Sequence, residues 1–355
     1  MTTPIHPEDL ILHFLNVGFG DNIIIEFPQN KNGQRTYALV DCYNSTKTKK
    51  YLKKLQKTRP ANTQLEFICA THPHQDHIAG INSFLNDPKY KPKEFWDSGF
   101  RHKSTTYIKI LNSLLFQNIK TIRISSGMEW YHNKVQITAL APSIRLRNRY
   151  ATYGVDMNNA SIVLRIEHHK EDVTLIKTKE YSGPSSIEAE REAGESVIIL
   201  AGDAEYDSWA HITEEYPKLE RVPNKHQPLI KRMINYLACS VLKISHHGSM
   251  HSTPLDVYEK MIPEKAIILT KQETSSKKIN NQTLTRELFP HQLTTTALEE
   301  IGAQILTTDG SYETKKRETN QPAGSIIVVL PPGGKPRLKK LTDTTKQTPE
   351  ILNEI

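Results

Sequence analysis

Short apolar runs separated by turn residues dominate the first part of the chain. Residues 11–17, 22–27 and 37–41 read as strands, with turn signals at Gly18, Gly20, Asn32 and Gly33 between them, so the chain is expected to begin as a β-meander. Residues 46–58 carry lysines at exposed helical spacing and predict a helix. The apolar run 65–70 predicts a buried strand, and 78–85 the start of the next helix. Further strands are expected at 121–124, 135–141, 161–166, 197–201, 241–245 and 266–270, several of them ending on a polar residue. Strands alternating with helical segments predict two sheets packed face to face with helices outside, an α/β architecture.

The 355 residues are expected to form one domain over 1–340. Two polar segments stand apart from it. The charged stretch 167–195, with Gly183-Pro184-Ser185-Ser186 at its middle, reads as an inserted loop or hairpin, and 341–355 as a polar tail, either frayed or a short terminal helix.

Candidate chemistry lies directly behind the 65–70 strand. His72, His74, Asp76 and His77 place four metal-binding side chains in six residues, a donor set that suits zinc and also manganese or iron. On a turn after a strand the four can divide between two ions if later segments supply the remaining ligands. Two later strands end suitably. The run 196–201 closes on Gly202-Asp203, where Asp203 is placed to bridge two ions, and the run 241–245 closes on His246-His247-Gly248-Ser249, where His246, first off the strand, is the expected ligand.

In these segments the chain resembles the metallo-β-lactamase superfamily, and within it the hydrolase domain of the ComEC competence proteins. The resemblance rests on Leu15-Asn16-Val17-Gly18-Phe19-Gly20-Asp21, on His72 to His77, on Asn158-Asn159-Ala160-Ser161, on Ala201-Gly202-Asp203 and on His246-His247-Gly248-Ser249. It implies an αβ/βα four-layer sandwich with a dinuclear site along one edge of its sheets. It implies His72 and His74 on one ion, Asp76, His77 and His246 on the other, and Asp203 between. His247 and His291 are then candidates to protonate a leaving oxygen or hold a phosphate, and Asp76 counts with them among the catalytic residues. Asp41 resembles the aspartate that buttresses the histidine turn, while Asp21, Asn159, Lys243 and Ser249 are further candidates for support or substrate contact. Two departures matter. The superfamily's additional ligand histidine is replaced by Asn158-Asn159, leaving His102 and His132 as conceivable substitutes, and the 167–195 stretch looks like an insertion able to meet a protein partner.

Charge and cysteine content add little but agree. A net charge of +7 and a pI near 9.0 favour acidic partners such as nucleic acid. Cys42, Cys69 and Cys239 lack metal-type spacing and read as reduced core thiols. No apolar run approaches the roughly 18 residues of a membrane span, so the expectation is a cytoplasmic protein without a membrane partner. The leading expectation is a metallo-hydrolase with two divalent ions, zinc first and manganese next, that attacks phosphodiesters through a hydroxide held between the ions: a phosphodiesterase or nuclease. The alternatives are a small-molecule hydrolase acting on a lactone, thioester or phosphodiester, and a nucleic-acid-binding or complex subunit with a weakened site.

Overall fold

A computed structural model describes residues 3–59, 61–153, 156–170, 196–217, 219–220, 233–271, 278–279, 282–283, 289–312 and 322–354. Strand alternation explains its layers. In β1 (Leu10–Phe14) the residues Leu10, Leu12 and Phe14 enter one apolar core, while His13 faces the opposite side. β2 (Asn22–Glu26) and β3 (Arg35–Cys42) follow as antiparallel neighbours, the expected meander. β4 (Ala61–Ala70), β5 (Pro92–Asp97) and β6 (Lys120–Arg123) then continue the sheet in parallel. Parallel neighbours require crossovers, supplied by helices α1 (Ser45–Thr58), α2 (Gln75–Ile78), α3 (Ile81–Leu85) and α4 (Thr105–Phe116).

The second sheet repeats this plan. β7 (Glu129–His132), β8 (Val135–Ala141), β9 (Val163–His168) and β10 (Val197–Leu200) are antiparallel in turn. Two short antiparallel pairs stand outside the two sheets, β11 (Leu219–Glu220) with β12 (Met233–Ile234), and β15 (Lys278–Ile279) with β16 (Gln282–Thr283). β13 (Val241–Lys243), β14 (Lys265–Ile268) and β17 (Gln304–Thr307) extend the second sheet in parallel from β10. β18 (Ile326–Leu330) and β19 (Arg337–Lys340) return to the first sheet beside β1. The orders are β19-β18-β1-β2-β3-β4-β5-β6 and β17-β14-β13-β10-β9-β8-β7.

Three apolar clusters give the four layers. One, including Phe67, Trp96, Ile198 and Val328, lies between the sheets. A second packs the first sheet against the helices that include Tyr51, Leu52, Ile81 and Phe84. The third packs the second sheet against the helices Tyr206–Glu215, Leu255–Met261 and Gln292–Glu300 through Trp209, Tyr258 and Leu298. This is the αβ/βα sandwich that the resemblance implied.

Several expectations change. The helix expected over 78–85 is divided, because Gly80 comes so close to the end of β3 that a Cβ would stand 2.7 Å from the Ser45 nitrogen and 2.8 Å from the Cys42 carbonyl oxygen. β5, β7, β17 and β19 escaped the strand reading because each mixes polar or charged residues into a run of four to six. The apolar β18 is absent from the expected strands, although it lies between β19 and β1 in the sheet's antiparallel half.

The C-terminal segment is neither frayed nor helical. Lys47 Nζ lies 2.6 Å from Asp343 Oδ2 and also donates to the carbonyls of Asn16 and Thr344, at 2.6 and 2.8 Å. Ile351 packs on the cluster between the first sheet and its helices, and Leu352 on a smaller one formed by Ile11, Ile327, Val329 and Leu341. Of the charged stretch, Glu167 and His168 are buried in β9, and 171–195 lie outside the described residues. The three cysteines are buried and unpaired. Among the described residues no helix is long and apolar enough to cross a membrane.

Candidate metal centre

The carboxyl ends of parallel strands from both sheets meet at one edge, the location at which open α/β sheets gather ligand-binding loops. β3 ends there with Asp41, β4 with the turn from Thr71 to His77, β10 with Asp203, and β13 with the turn from Ser245 to Gly248. One ligand atom from each of Asp76, His77, Asp203 and His247 falls in a group whose members all lie within 4.8 Å of one another. His77 Nε2 is 3.1 Å from Asp203 Oδ2, and His247 Nε2 is 3.3 Å from Asp76 Oδ2. His72 Nε2 lies 3.8 Å from Asp203 Oδ2. The half-buried His74 stands beside this group, its ring 4.7 Å from that of His72.

Hydrogen bonds outside the group hold these rings in one orientation. Asp41 accepts from the Thr71 backbone N–H (2.8 Å), from Thr71 Oγ1 (2.7 Å) and from His77 Nδ1 (2.7 Å), leaving His77 Nε2 to face Asp203. Thr71 Oγ1 also lies 3.2 Å from His72 Nδ1. His247 Nδ1 donates to the Leu269 carbonyl at 2.7 Å, which leaves its Nε2 lone pair toward Asp76. Imidazoles tied at one nitrogen and open at the other are the arrangement metal ligands take.

Burial sharpens the same point. His72 Nε2 and Asp203 Oδ1 are buried and have no hydrogen-bond partner, which is costly unless a group absent from the polypeptide satisfies them. Desolvation, with His77 close by, drives the His72 pKa well below the usual imidazole range and favours the neutral, ligating form. For Asp203 desolvation acts upward, but the His77, His247 and His72 imidazoles outweigh it and hold the carboxyl well below its ordinary value. The donors therefore fit divalent ions.

The structure sets the two adjacent histidines apart. His246 and His247 both take left-handed backbone angles, φ 43° and 50°, so the first residue off the strand does not point along the strand's inward face. His247 enters the ligand group, while His246 donates from Nδ1 to Glu205 Oε1 at 2.8 Å. Asn158 Nδ2 donates to the same Glu205 oxygen at 3.0 Å. Asn159, the favoured member of that pair, instead accepts from the Ser208 backbone and secures the helix Tyr206–Glu215.

Lys243 shares the inward face of β13 with Val241, opposite Leu242 and Ile244, and is fully buried. Its Nζ lies 2.5 Å from Asp21 Oδ2, 2.8 Å from the Gly202 carbonyl and 3.8 Å from Asp203 Oδ1. Desolvation opposes its charge, yet the Asp21 and Asp203 carboxylates prevail and raise its pKa. Ser249 Oγ accepts from the His251 N–H and shapes its own turn. His291 caps the helix Gln292–Glu300, accepting from the Leu293 N–H at 3.2 Å, an alternative to the catalytic part first given to it. His132 stacks on Trp130 beside Phe27, away from the ligand group, whereas the His102 ring lies 5.9 Å from that of His74.

Thr71 and Glu205 are the supporting residues that the sequence reading passed over. Glu205 had a signal, standing two positions after Asp203 on the same turn.

Replacing Asp41 by asparagine is expected to lower metal affinity about 10- to 100-fold while leaving the fold intact. Asparagine tolerates the residue's φ of 56°, but its amide offers one acceptor oxygen where three donors converge. Competition with a chelator measures the change, and unaltered affinity would contradict the supporting role.

Residues 17–217 match the model of a family described as "Metallo-beta-lactamase superfamily", a span that holds the histidine turn and Asp203 and stops short of His246 and His247. No curated protein matches the chain. Among solved structures it is similar to the metallo-beta-lactamase fold protein YhfI from Bacillus subtilis, with 12% identity, 85% of this chain and 97% of that chain covered, and a TM-score of 0.44. It is also similar to a diphosphatase of the PhnP family, with 10% identity, 78% and 92% covered, and a TM-score of 0.36. For a CmlA beta-hydroxylase variant the values are 10%, 85% and 53%, and 0.40. Likeness at this level carries no argument about chemistry.

Proposed function

The chain belongs to the metallo-beta-lactamase superfamily, and from that premise we propose that it is a metal-dependent phosphodiesterase acting on nucleic acid, in the manner of the ComEC-type hydrolase domains it resembles. The observation that carries the metal-dependent part is the convergence of Asp76, His77, Asp203 and His247 beside the unpartnered His72 Nε2. The net charge of +7 supports a polyanionic substrate.

In this reading His72 and His74 would hold one divalent ion and Asp76, His77 and His247 the other, with Asp203 serving both, zinc being the first choice and manganese the second. When bound, such ions supply a water that ionises near neutral pH and polarise the phosphoryl oxygen. The polypeptide's part is to hold the ligands rigid through Asp41, Thr71 and the Leu269 carbonyl. Lys243 offsets one of the crowded carboxylates from beneath. His246 takes the proton-donor part first assigned to its neighbour: the Glu205 carboxylate that accepts from its Nδ1 favours the imidazolium over desolvation, and the Nε2 proton of that imidazolium is the one given to a leaving oxygen.

The test is incubation of the purified protein with bis-p-nitrophenyl phosphate and with DNA and RNA, single- and double-stranded, in the presence of zinc or manganese. Release of p-nitrophenolate together with strand cleavage is expected. Rapid lactone or thioester hydrolysis without phosphodiester cleavage would replace this reading by a small-molecule hydrolase. Salt-sensitive nucleic-acid binding with no turnover under any metal would replace it by a binding subunit.

A further inference from the structure

Beside the ligand group stands a pair of aromatic rings that the metal chemistry does not use. Phe19, from the loop between β1 and β2, lies with its ring 4.4 Å from that of His247, and Phe289 lies 5.3 Å from Phe19. The Phe289 ring is also 5.9 Å from His246 and 6.3 Å from His247. Both phenylalanines are half-buried, leaving apolar surface in water next to a group of carboxylates and imidazoles. Stability alone does not favour that placement, because ring surface belongs in a core.

The two rings are held firmly. Gly20, at φ 152°, is clamped so tightly that a Cβ would meet the Asp76 carbonyl oxygen and Tyr43 Cγ, each at 2.7 Å. The Asp21 N–H donates to the Asp76 carbonyl at 3.1 Å and ties the Phe19 loop to the histidine turn. On the other side Pro290 packs on Gly248, where a Cβ would come within 2.8 Å, and the His291 N–H donates to the Gly248 carbonyl at 2.8 Å. Each ring is thus carried by a segment fastened to a ligand-bearing turn. Tyr43, 38% exposed, adds a third ring against the Gly20 loop.

Rings fixed with part of their surface in water suit a flat partner. A nucleobase has such a face, and stacking is tolerant of base identity. Within a duplex each base face already contacts its neighbours, so only an unpaired or extruded base can use the rings.

We infer that Phe19 and Phe289 form an aromatic wall that stacks on the base adjoining the scissile phosphate, so that the substrate is a single strand of DNA or RNA. The inference rests on the phosphodiesterase reading and names its substrate. The wall sets which phosphodiester is presented, and the ligand group sets that it is cut.

The test uses the full-length, metal-loaded protein and phosphorothioate strands that resist cleavage, in separate deoxy and ribo arms. One strand of each pair carries 2-aminopurine, whose fluorescence falls on stacking, and its counterpart of equal length is abasic. The base-bearing strand is expected to bind about tenfold more tightly than the abasic one, with quenching, and more tightly than the duplex. Phe289→Leu and Phe19→Leu keep apolar bulk without a π face and are expected to remove both the preference and the quenching, with thermal melting as the check on folding. Equal affinity for base-bearing and abasic strands, a preference that survives the double substitution, or no binding of either strand overturns the wall. Failure here alongside intact bis-p-nitrophenyl phosphate hydrolysis removes the wall alone, whereas absence of phosphodiester hydrolysis removes the reading beneath it.

Discussion

Replacing Asp203 by alanine is expected to strip the purified protein of most of its divalent metal and to lower its hydrolytic rate by roughly three orders of magnitude or more. The residue is buried beside the histidine turn, its Oδ2 3.1 Å from His77 Nε2 and 3.8 Å from His72 Nε2 and its Oδ1 without a hydrogen bond. Asp21 is poorly placed to replace it, because its Oδ2 is engaged by Lys243 at 2.5 Å. Metal ions contribute several kcal/mol to stabilising the transition state, and each ~1.4 kcal/mol is a factor of about ten in rate. Elemental analysis of wild type and variant side by side reads the metal directly. About two equivalents falling to one or fewer is the expected result. An unchanged content would mean that the ions, if held, sit elsewhere.

The second large effect lies far from the chemistry. Glu26 is fully buried on the outer face of the first sheet, where it meets His13 Nε2 at 2.9 Å, Arg35 Nε at 3.2 Å and Arg59 Nη1 at 2.7 Å. His13 is in turn 3.0 Å from the Tyr51 hydroxyl on α1, and Arg59 also donates to the Leu352 carbonyl. The network thus joins the first three strands, the first helix and the C-terminal segment. Glu26→Gln leaves the guanidinium groups of Arg35 and Arg59 without their carboxylate, and removing one partner of a buried ion pair costs about 3–5 kcal/mol. A loss of that size in urea unfolding is expected, and a change below about 1 kcal/mol would reduce the network to a minor contact.

The same residue predicts a pH dependence. Burial alone would raise the Glu26 pKa, but the hydrogen bond from His13 and the charges of Arg59 and Arg35 bring it down to about 2, against 4.5 for the free group. A carboxyl depressed in the folded state contributes stability above its unfolded pKa and loses it as pH falls through the folded one. Wild-type stability should therefore decline between pH 4.5 and about 2 more steeply than that of Glu26→Gln.

The sequence was a good guide wherever local pattern decides. Apolar runs closing on Asp203 and on the His72 to His77 turn announced both the strands and their chemistry, because strand alternation and turn-forming residues act over a few positions. Asp41 was read as support for the histidines through the family resemblance, near the end of an evident strand, and it accepts from His77 Nδ1. The choice of His247 over His246 was not legible. It follows from positive φ at two successive non-glycine residues, a conformation that the packing of the turn imposes and composition does not signal. Asn158 and His246 both donate to Glu205, by bonds spanning 47 and 41 positions, so neither pairing has a short-range trace.

By itself, then, the sequence determined the two-sheet α/β sandwich, the location of ligand-type residues at strand ends and the class of ion they suit. These depend on periodicities and turn chemistry that residues carry with them. Tertiary structure alone decided that Lys243 lies beneath the centre as the partner of Asp21, that the polar C-terminal segment is bound by Lys47 to Asp343, and that Phe19 and Phe289 meet beside His247. A charge excluded from water must be paired, and its partner is whatever distant carboxylate the fold brings alongside.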